Sequence, residues 1–286
     1  MSIVAPILEP AAYAHGFTRR QGAKAREFWG PGNVGDLLIR RGAEQLYAAY
    51  GITLCGKDEK PDVVFYGGGG NMGPLYPGTR LTRLDARAVA TALGVPLIML
   101  PQSWTGPEDL EAGQFFAREN RSLEYCPHAV LAPDLSLAYA PAIELDQPQH
   151  DVGWFMRDDC ERHQPAVATN CGDPAALATT AEDYLRIASR YRVIHTDRLH
   201  FAIGAMLAGR QAHLYANSTS KTKRFIPLAQ WPRLRVGRGV SVRKLTPHAG
   251  HGHRQSHRSP RSRRPFGDHS ADPAQADGLA VTSTEA

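Results

Sequence analysis

The fold is decided by the stretch Tyr191-Arg-Val-Ile-His195-Thr-Asp-Arg198-Leu-His200, which continues as an apolar segment to Gly209. Its pattern predicts a short strand, a tight turn and a helix, with Thr196 and Asp197 as N-caps. Strand–turn–helix units of this kind are typical of α/β proteins, which bind ligands where strands end and helices begin. We therefore expect Arg198 and His200 to lie at a ligand site.

The same stretch, taken alone, leaves a second interpretation open. In that interpretation Arg198 caps the sheet and His200 is a core histidine whose hydrogen bonds are satisfied internally. The neighbouring segments extend the α/β pattern on both sides. Residues 152–156 predict a strand that ends at Arg157, and residues 211–215 predict another. A hydroxyl-rich, cationic loop suited to a phosphate or a carboxylate follows, with Asn217, Ser218 and Lys221 as its candidate binding residues.

Two glycine-rich turns mark the first half of the chain. The first is Gly32-Asn33-Val-Gly35-Asp36, where Asp36 opens a predicted helix that Gly51 ends. It lacks the Walker lysine and the G-x-G-x-x-G spacing, so an ordinary turn is an equally good interpretation. The second follows a predicted buried strand, residues 62–66, and we expect it to bring main-chain amides close to a substrate, although a flexible turn is the alternative. Its candidate binding residues are Gly68, Gly69, Gly70 and Asn71.

Further strand ends carry polar residues. A helix over residues 81–93 and a strand over 96–100 precede a predicted polar loop with Gln102 and Ser103. Arg118 follows residues 115–117 of the next strand, and a strand over 129–137 places Asp134 near its tip. Each could be a surface cation or a turn former when considered alone.

Composition limits the class of protein. The 286 residues are 42% hydrophobic, which suits two modest cores. No run of about eighteen apolar residues occurs, and the N-terminus lacks a signal-peptide pattern, so we expect a cytoplasmic protein. The four cysteines form no C-x-x-C pair, and the histidines outside the C-terminal tail are isolated. We therefore expect reduced thiols and no metal site.

The formal charge of +5 comes from the C-terminal tail. Residues 233–264 contain ten Lys or Arg and no acid, and four acids follow, which leaves 23 basic and 24 acidic residues in 1–232. We expect a solvated, disordered tail; nonspecific contact with anionic lipid or nucleic acid is the alternative. The sequence thus predicts five segments. They are an N-terminal extension (1–25), a Rossmann-like domain (26–140), a linker (141–151), a short second Rossmann-like domain (152–245) and the tail (246–286).

Taken in order, these motifs resemble the polysaccharide pyruvyl transferase family over roughly residues 26–225. The segments that carry the resemblance are Gly32-Asn-Val-Gly-Asp36, the run 67–71, Pro101-Gln-Ser103, Arg118-Glu with Ser122, Pro133-Asp134, Phe155-Met-Arg157 and Thr196-Asp-Arg198-Leu-His200. The resemblance implies a fold similar to that of GT-B glycosyltransferases, with two Rossmann-like domains facing each other across a cleft.

The resemblance also implies an activity. The family moves the enolpyruvyl unit of phosphoenolpyruvate onto two hydroxyls of a sugar, which gives a pyruvate ketal and phosphate. It implies Arg118 and His200 as catalytic residues, with Asp36 as a third. The expected partners are phosphoenolpyruvate and a sugar acceptor, either free or lipid-linked at the inner membrane face, with no cofactor and no specific nucleic acid.

The residue types fit this chemistry. Arg118, Arg157, Arg198 and Lys221 supply cations for a phosphate and a carboxylate, and an imidazole can exchange a proton near neutral pH. Two other functions remain open. One is a glycosyltransferase that uses a nucleotide sugar in the same cleft. The other is a catalytically silent subunit that binds or assembles glycan.

Overall fold

Two parallel β-sheets follow each other along the chain, as the two predicted α/β halves require. The computed structural model describes residues 6–108, 113–162 and 169–216, the backbone of 234–236 and, at residue 71, the backbone alone. Both sheets lie in the same compact unit. A parallel α/β architecture is thereby confirmed, whereas the division into two facing domains and a tail stays a prediction.

The first sheet holds seven strands. They are β1 (Lys24–Phe28), β2 (Thr53–Leu54), β3 (Val63–Tyr66), β4 (Gly69–Met72), β5 (Leu97–Trp104), β6 (Gln114–Ala117) and β7 (Val130–Leu131). Their order is β2-β1-β3-β5-β6-β7, with β4 paired to β5, and all pairs are parallel. The helices of this half are α1 (Ala14–Phe17), α2 (Val34–Ala49) and α3 (Thr79–Leu93).

The second sheet holds four strands, all parallel. They are β8 (His150–Phe155), β9 (Tyr191–Thr196), β10 (Gln211–Leu214) and β11 (Leu234–Val236), in the order β11-β10-β9-β8. Its helices are α4 (Pro174–Leu177), α5 (Ala181–Ser189) and α6 (Leu199–Leu207). No helix within the described ranges is long and apolar enough to cross a membrane.

Helix α2 joins two of the three hydrophobic clusters that the described residues form. Ile39 and Leu46 pack into the core of the first sheet, whereas Val34 and Leu38 pack into the core that α5 and α6 form on the second sheet. One helix can serve both because its side chains radiate at 3.6 residues per turn. Its N-terminus is therefore fixed where the ends of strands from both sheets approach each other.

The turn between β9 and α6 differs from the prediction. Arg198 is the N-cap residue of α6, and its side chain makes no capping bond. The Thr196 hydroxyl accepts a hydrogen bond from the Arg198 amide (3.1 Å), and the Asp197 carboxylate accepts one from the Arg157 amide (2.9 Å). Asp197 thus ties β9 to the end of β8 and does not cap α6. Gly209 follows the end of the helix at φ 77°, as predicted.

Two predicted boundaries were wrong for physical reasons. Residues 101–104 are not a loop but the second half of β5, because Gln102 lies between Gly69 of β4 and Ala117 of β6 and the ladder continues on both sides. The predicted strand over 129–137 contains only β7, because Asp134 caps a 3₁₀ turn, Leu135–Ala138. Between β8 and β9, α4 and α5 are separate helices because Thr180 and Asp183 form a new capping box at the start of α5.

The N-terminal residues belong to the core of the first sheet. Tyr13 and Phe17 are buried, and the Tyr13 hydroxyl donates a hydrogen bond to the Asp134 carbonyl (2.9 Å). Strand β1 was not predicted, because its central residues are the charged Arg26 and Glu27. Arg26 donates to the Lys57 carbonyl, and Glu27 accepts hydrogen bonds from Trp29 and Arg40. The stretch predicted as an extension up to residue 25 therefore contributes α1, the start of β1 and two buried aromatic side chains to the first sheet.

Candidate active site

A cavity of about 350 Å³ lies at the carboxyl ends of strands from both sheets. Arg118 enters it after β6, Arg157 after β8 and Arg198 after β9, so the placement follows the usual position of ligand sites in open α/β sheets. The cavity brings together eight residues that the sequence analysis selected, namely Asn33, Gly35, Asp36, Gly70, Arg118, Arg157, Arg198 and His200. Their roles in binding or catalysis stay predictions.

Arg118, Asp134 and His200 form a close triangle at the wall of the cavity. Arg118 Nη1 donates to Asp134 Oδ2 (2.6 Å), and His200 Nε2 lies 3.2 Å from both of those atoms. The side chains of Arg118 and Asp134 are buried, whereas 14% of the His200 side chain is exposed. The imidazole is thus the most exposed member of the triangle, and Arg118 lines the cavity beside it.

The triangle gives the imidazole a partner in either protonation state. An unprotonated Nε2 can accept a hydrogen bond from the Arg118 guanidinium, and a protonated one can donate to the Asp134 carboxylate. Burial alone would raise the pKa of Asp134, but His200, Arg118 and Ser136 together lower that pKa well below its ordinary value. Asp134 is therefore ionised at neutral pH.

A second layer of polar side chains positions Arg118. Its Nε donates to the Ser103 hydroxyl (2.6 Å), and that hydroxyl donates to Glu119 (2.7 Å), which also accepts a hydrogen bond from Ser122. Ser103 is fully buried behind the cavity wall. This hydroxyl is enclosed by Arg118 and Glu119, and the predicted contact of Ser103 with substrate stays a prediction.

The glycine run and Gln102 also lie mainly behind the cavity. A Cβ on Gly68 would meet Ile39 and the Pro101 carbonyl at 3.0 Å, and Gly69 is buried in β4. The buried Gln102 donates its side-chain amide to the Gly67 carbonyl. Gly68 and Gln102 therefore pack against the protein itself, and the predicted contacts of Gly68, Gly69 and Gln102 with substrate stay predictions. Among the glycines of the run, Gly70 lines the cavity.

The first turn of α2 also lines the cavity. Asn33 accepts a hydrogen bond from the Gly35 amide (2.8 Å), and Asp36 accepts one from the Asn33 amide (2.8 Å), which together make a capping box. Asp36 lines the cavity while it caps the helix. One oxygen of its carboxylate is engaged in the cap. The catalytic role of Asp36 stays a prediction.

Gly35 is the point at which α2 touches the imidazole. A Cβ at this position would lie 2.9 Å from His200 Nδ1 and 3.0 Å from the Asn33 side-chain oxygen. We expect Gly35→Ala to shift the imidazole and lower turnover by about tenfold to a hundredfold, because small misplacements of reacting groups are costly. Gly78→Ala is the matched control, since no atom lies within 4 Å of the added Cβ. Steady-state kinetics would check this, and a variant with unchanged kcat would show that the contact does not orient His200.

The other two arginines are paired with carboxylates. Arg157 bonds Asp159 (2.7 and 2.9 Å) and Glu161, and Arg198 bonds Asp173 and Asp159. Burial would raise the pKa of Asp173, but hydrogen bonds from Arg198 and from backbone amides lower it to about 2. The arginines were predicted to supply cations for a phosphate and a carboxylate. The crevice in the structure is, however, not simply cationic. Its described positive charges are balanced by acids.

Part of the predicted site lies outside the described residues. Asn217, Ser218 and Lys221 belong to this part, and so does the side chain of Asn71. Within the described ranges, no group of three or more His, Cys, Asp or Glu side chains is arranged to hold a metal ion. The absence of a metal from the chemistry and the role of the cationic loop both stay predictions.

Sequence reasoning assigned no role to several residues of the site. Tyr76, Asp159, Glu161 and Tyr184 line the cavity. The Tyr76 hydroxyl donates to Glu161, which joins a loop after β4 to the turn after β8. The spacing of Asp159 and Glu161, two and four residues after Arg157, is the signal that could have identified them. No comparable pattern marks Tyr76 or Tyr184.

Comparison with known proteins extends this description. Residues 33–219 match the family model described as polysaccharide pyruvyl transferase. A protein of Bacillus subtilis (strain 168), named "Putative pyruvyl transferase EpsO", is 24% identical over an alignment that covers 68% of this chain and 81% of that protein. The fold is similar to a crystal structure of a functionally uncharacterized protein from Klebsiella pneumoniae subsp. pneumoniae NTUH-K2044. That match has a TM-score of 0.58 and 17% identity, and it covers 77% of this chain and 95% of the other.

Proposed function

The chain belongs to the polysaccharide pyruvyl transferase family, and we propose that it transfers the enolpyruvyl group of phosphoenolpyruvate to a sugar of a cell-surface or secreted polysaccharide, giving a pyruvate ketal and phosphate. The triangle of Arg118, Asp134 and His200 carries the proposal. It places an imidazole, which can exchange a proton, beside a fixed ion pair at the edge of a cavity that both sheets form.

The proposed reaction needs a proton at carbon. Protonation of the methylene carbon of phosphoenolpyruvate gives an oxocarbenium-like centre at C2, which a sugar hydroxyl attacks. A second hydroxyl of the same sugar then forms the second C–O bond at C2, and the C2–O bond to phosphate breaks. Of the two hydroxyl protons, one replaces the proton given to the methylene carbon and the other leaves with phosphate. His200 is our candidate for the group that moves these protons.

Arg118 has a matching role in this proposal. Its guanidinium is fixed by Ser103, Asp134 and His200 and lines the cavity. A preorganised cation that does not reorient during the reaction stabilises negative charge on the departing phosphate more effectively than water does. The cavity volume of about 350 Å³ is within the range of sites that hold small molecules.

The decisive experiment combines phosphoenolpyruvate with a panel of bacterial glycan fragments. We expect one fragment to gain the mass of pyruvate less one water, with one phosphate released per ketal formed. Stabilisation against heat by a nucleotide sugar, but not by phosphoenolpyruvate, would instead indicate a glycosyltransferase. A protein that binds a glycan fragment and consumes neither donor would be a silent subunit.

A further inference from the structure

Asp159 occupies a clamp that two arginines form at the cavity. Its carboxylate accepts hydrogen bonds from Arg157 Nε (2.7 Å) and Nη2 (2.9 Å), and from Arg198 Nη2 (2.9 Å). Two guanidinium groups around one carboxylate are the arrangement with which proteins bind the carboxylates and phosphates of ligands. In this structure the chain's own side chain occupies that position.

Asp159 differs from the other acids of the cluster in its exposure. Its side chain is 37% exposed, compared with 2% for Asp173 and 4% for Glu161. Asp173 accepts two hydrogen bonds from backbone amides, those of Ala175 and Asp158, whereas Asp159 accepts one, from the Glu161 amide (3.0 Å). Asp159 is thus the carboxylate of this cluster that can turn toward solvent at the smallest cost.

Both arginines keep a partner when Asp159 turns away. Arg157 still bonds Glu161, and Arg198 still bonds Asp173 through Nε and Nη2. Neither guanidinium is therefore left as an unpaired buried charge, which would be strongly unfavourable. The departure of Asp159 would leave the guanidinium edges Nε and Nη2 of Arg157 and Nη2 of Arg198 for an incoming anion.

We propose that Asp159 is a placeholder for an anionic group of the ligand, and that a carboxylate or phosphate replaces it between Arg157 and Arg198. The identity of that ligand as phosphoenolpyruvate rests on the function proposed above. The clamp itself recognises only the shared chemistry of the two groups. Inorganic phosphate and pyruvate, each of which carries one of them, therefore separate the two sources.

The test removes the charge of Asp159 and keeps its shape. For Asp159→Asn, we expect the dissociation constant of phosphoenolpyruvate to fall by about fivefold to tenfold, because the ligand no longer displaces a charged competitor from two guanidinium groups. If the dissociation constant of inorganic phosphate falls in the same way and that of pyruvate does not, the clamp binds the phosphate group. If the constant of pyruvate falls and that of inorganic phosphate does not, the clamp binds the carboxylate. Titration calorimetry at constant ionic strength measures these constants.

Asp158→Asn is the matched control. It removes the same charge from the neighbouring, exposed residue, whose carboxyl contacts Asp173 and makes no hydrogen bond to Arg157 or Arg198 among those identified in the described residues. We expect it to change affinity by less than about twofold, since exposed charges act weakly through water. Asp159→Ala should reproduce the gain, which guards against an effect specific to the amide.

Affinity that is unchanged or weaker in both Asp159 variants would overturn the proposal, because Asp159 would then be a fixed partner that orients the arginines. This outcome is separate from a failure of the proposed function. Tighter anion binding by Asp159→Asn in a protein that never consumes phosphoenolpyruvate would support the clamp and contradict the transferase. Ketal formation without tighter anion binding by Asp159→Asn would support the transferase and contradict the clamp.

Discussion

Replacement of His200 by alanine is expected to lower turnover by about a hundredfold to ten-thousandfold, which is the usual contribution of a positioned acid–base group. The imidazole is the exposed member of the triangle with Arg118 and Asp134, and its removal leaves their 2.6 Å ion pair intact. The protein should therefore fold normally and bind phosphoenolpyruvate within a few-fold of the wild type. Phosphate release and ketal formation measure turnover, and calorimetry measures binding.

The matched control lies in the same sequence motif. His195 is on β9, stacked between Trp154 and His213 at ring-centroid distances of 4.0 and 4.5 Å, and it does not line the cavity. Burial and the neighbouring His213 lower the pKa of His195 to about 4, so it is uncharged at neutral pH. We expect His195→Ala to retain turnover. A His200→Ala protein that unfolds would return His200 to the core-histidine interpretation, and one that turns over normally would refute its catalytic role.

The strand–turn–helix motif shows how far the sequence could predict this site. Buried apolar strands followed by polar residues fix a parallel α/β architecture, and parallel strands bring their carboxyl ends to one edge. Arg157, Arg198 and His200 were selected on that ground and Arg118 from the family resemblance, and all four line one cavity. Helix α2 was predicted for the same kind of reason, because its apolar positions repeat at helical spacing and its glycine-rich turn precedes Asp36.

The partners of those side chains could not be predicted from local patterns. Ser103 and Gln102 look like loop residues next to a proline, but pairing on both sides carries β5 through them and buries them. Strand β1 has charged residues at its centre and gives no apolar signal. Whether an arginine faces a ligand or a carboxylate depends on contacts between turns far apart in sequence, as between Arg198 and Asp173, and spacing within one motif does not contain that information.

Arg118→Lys is expected to lower kcat by about a hundredfold to a thousandfold although the charge is kept. The guanidinium directs separate N–H groups to Ser103 Oγ and Asp134 Oδ2, both at 2.6 Å, and places Nη1 beside His200. A lysine ammonium is a single point charge on a flexible stem and cannot span these partners at once. The Asp134 carboxylate would lose its fixed neighbour, and the imidazole would lose the group that holds it when Nε2 is unprotonated.

The structure also assigns Arg118 a part in stability, so the measurement has to separate the two roles. Loss of the buried bonds should lower the free energy of unfolding by about 2 kcal/mol or more. Arg186 forms an exposed surface pair with Asp183, and the control substitution Arg186→Lys should change neither stability nor kcat measurably. Urea denaturation gives the free energy of unfolding, thermal unfolding gives the temperatures at which the Arg118→Lys protein is fully folded, and kcat is then measured at such a temperature. If activity recovers once the variant is folded, Arg118 serves only the fold. If kcat stays low in folded protein, the direction of its N–H groups matters to the reaction itself, as the triangle with Asp134 and His200 requires.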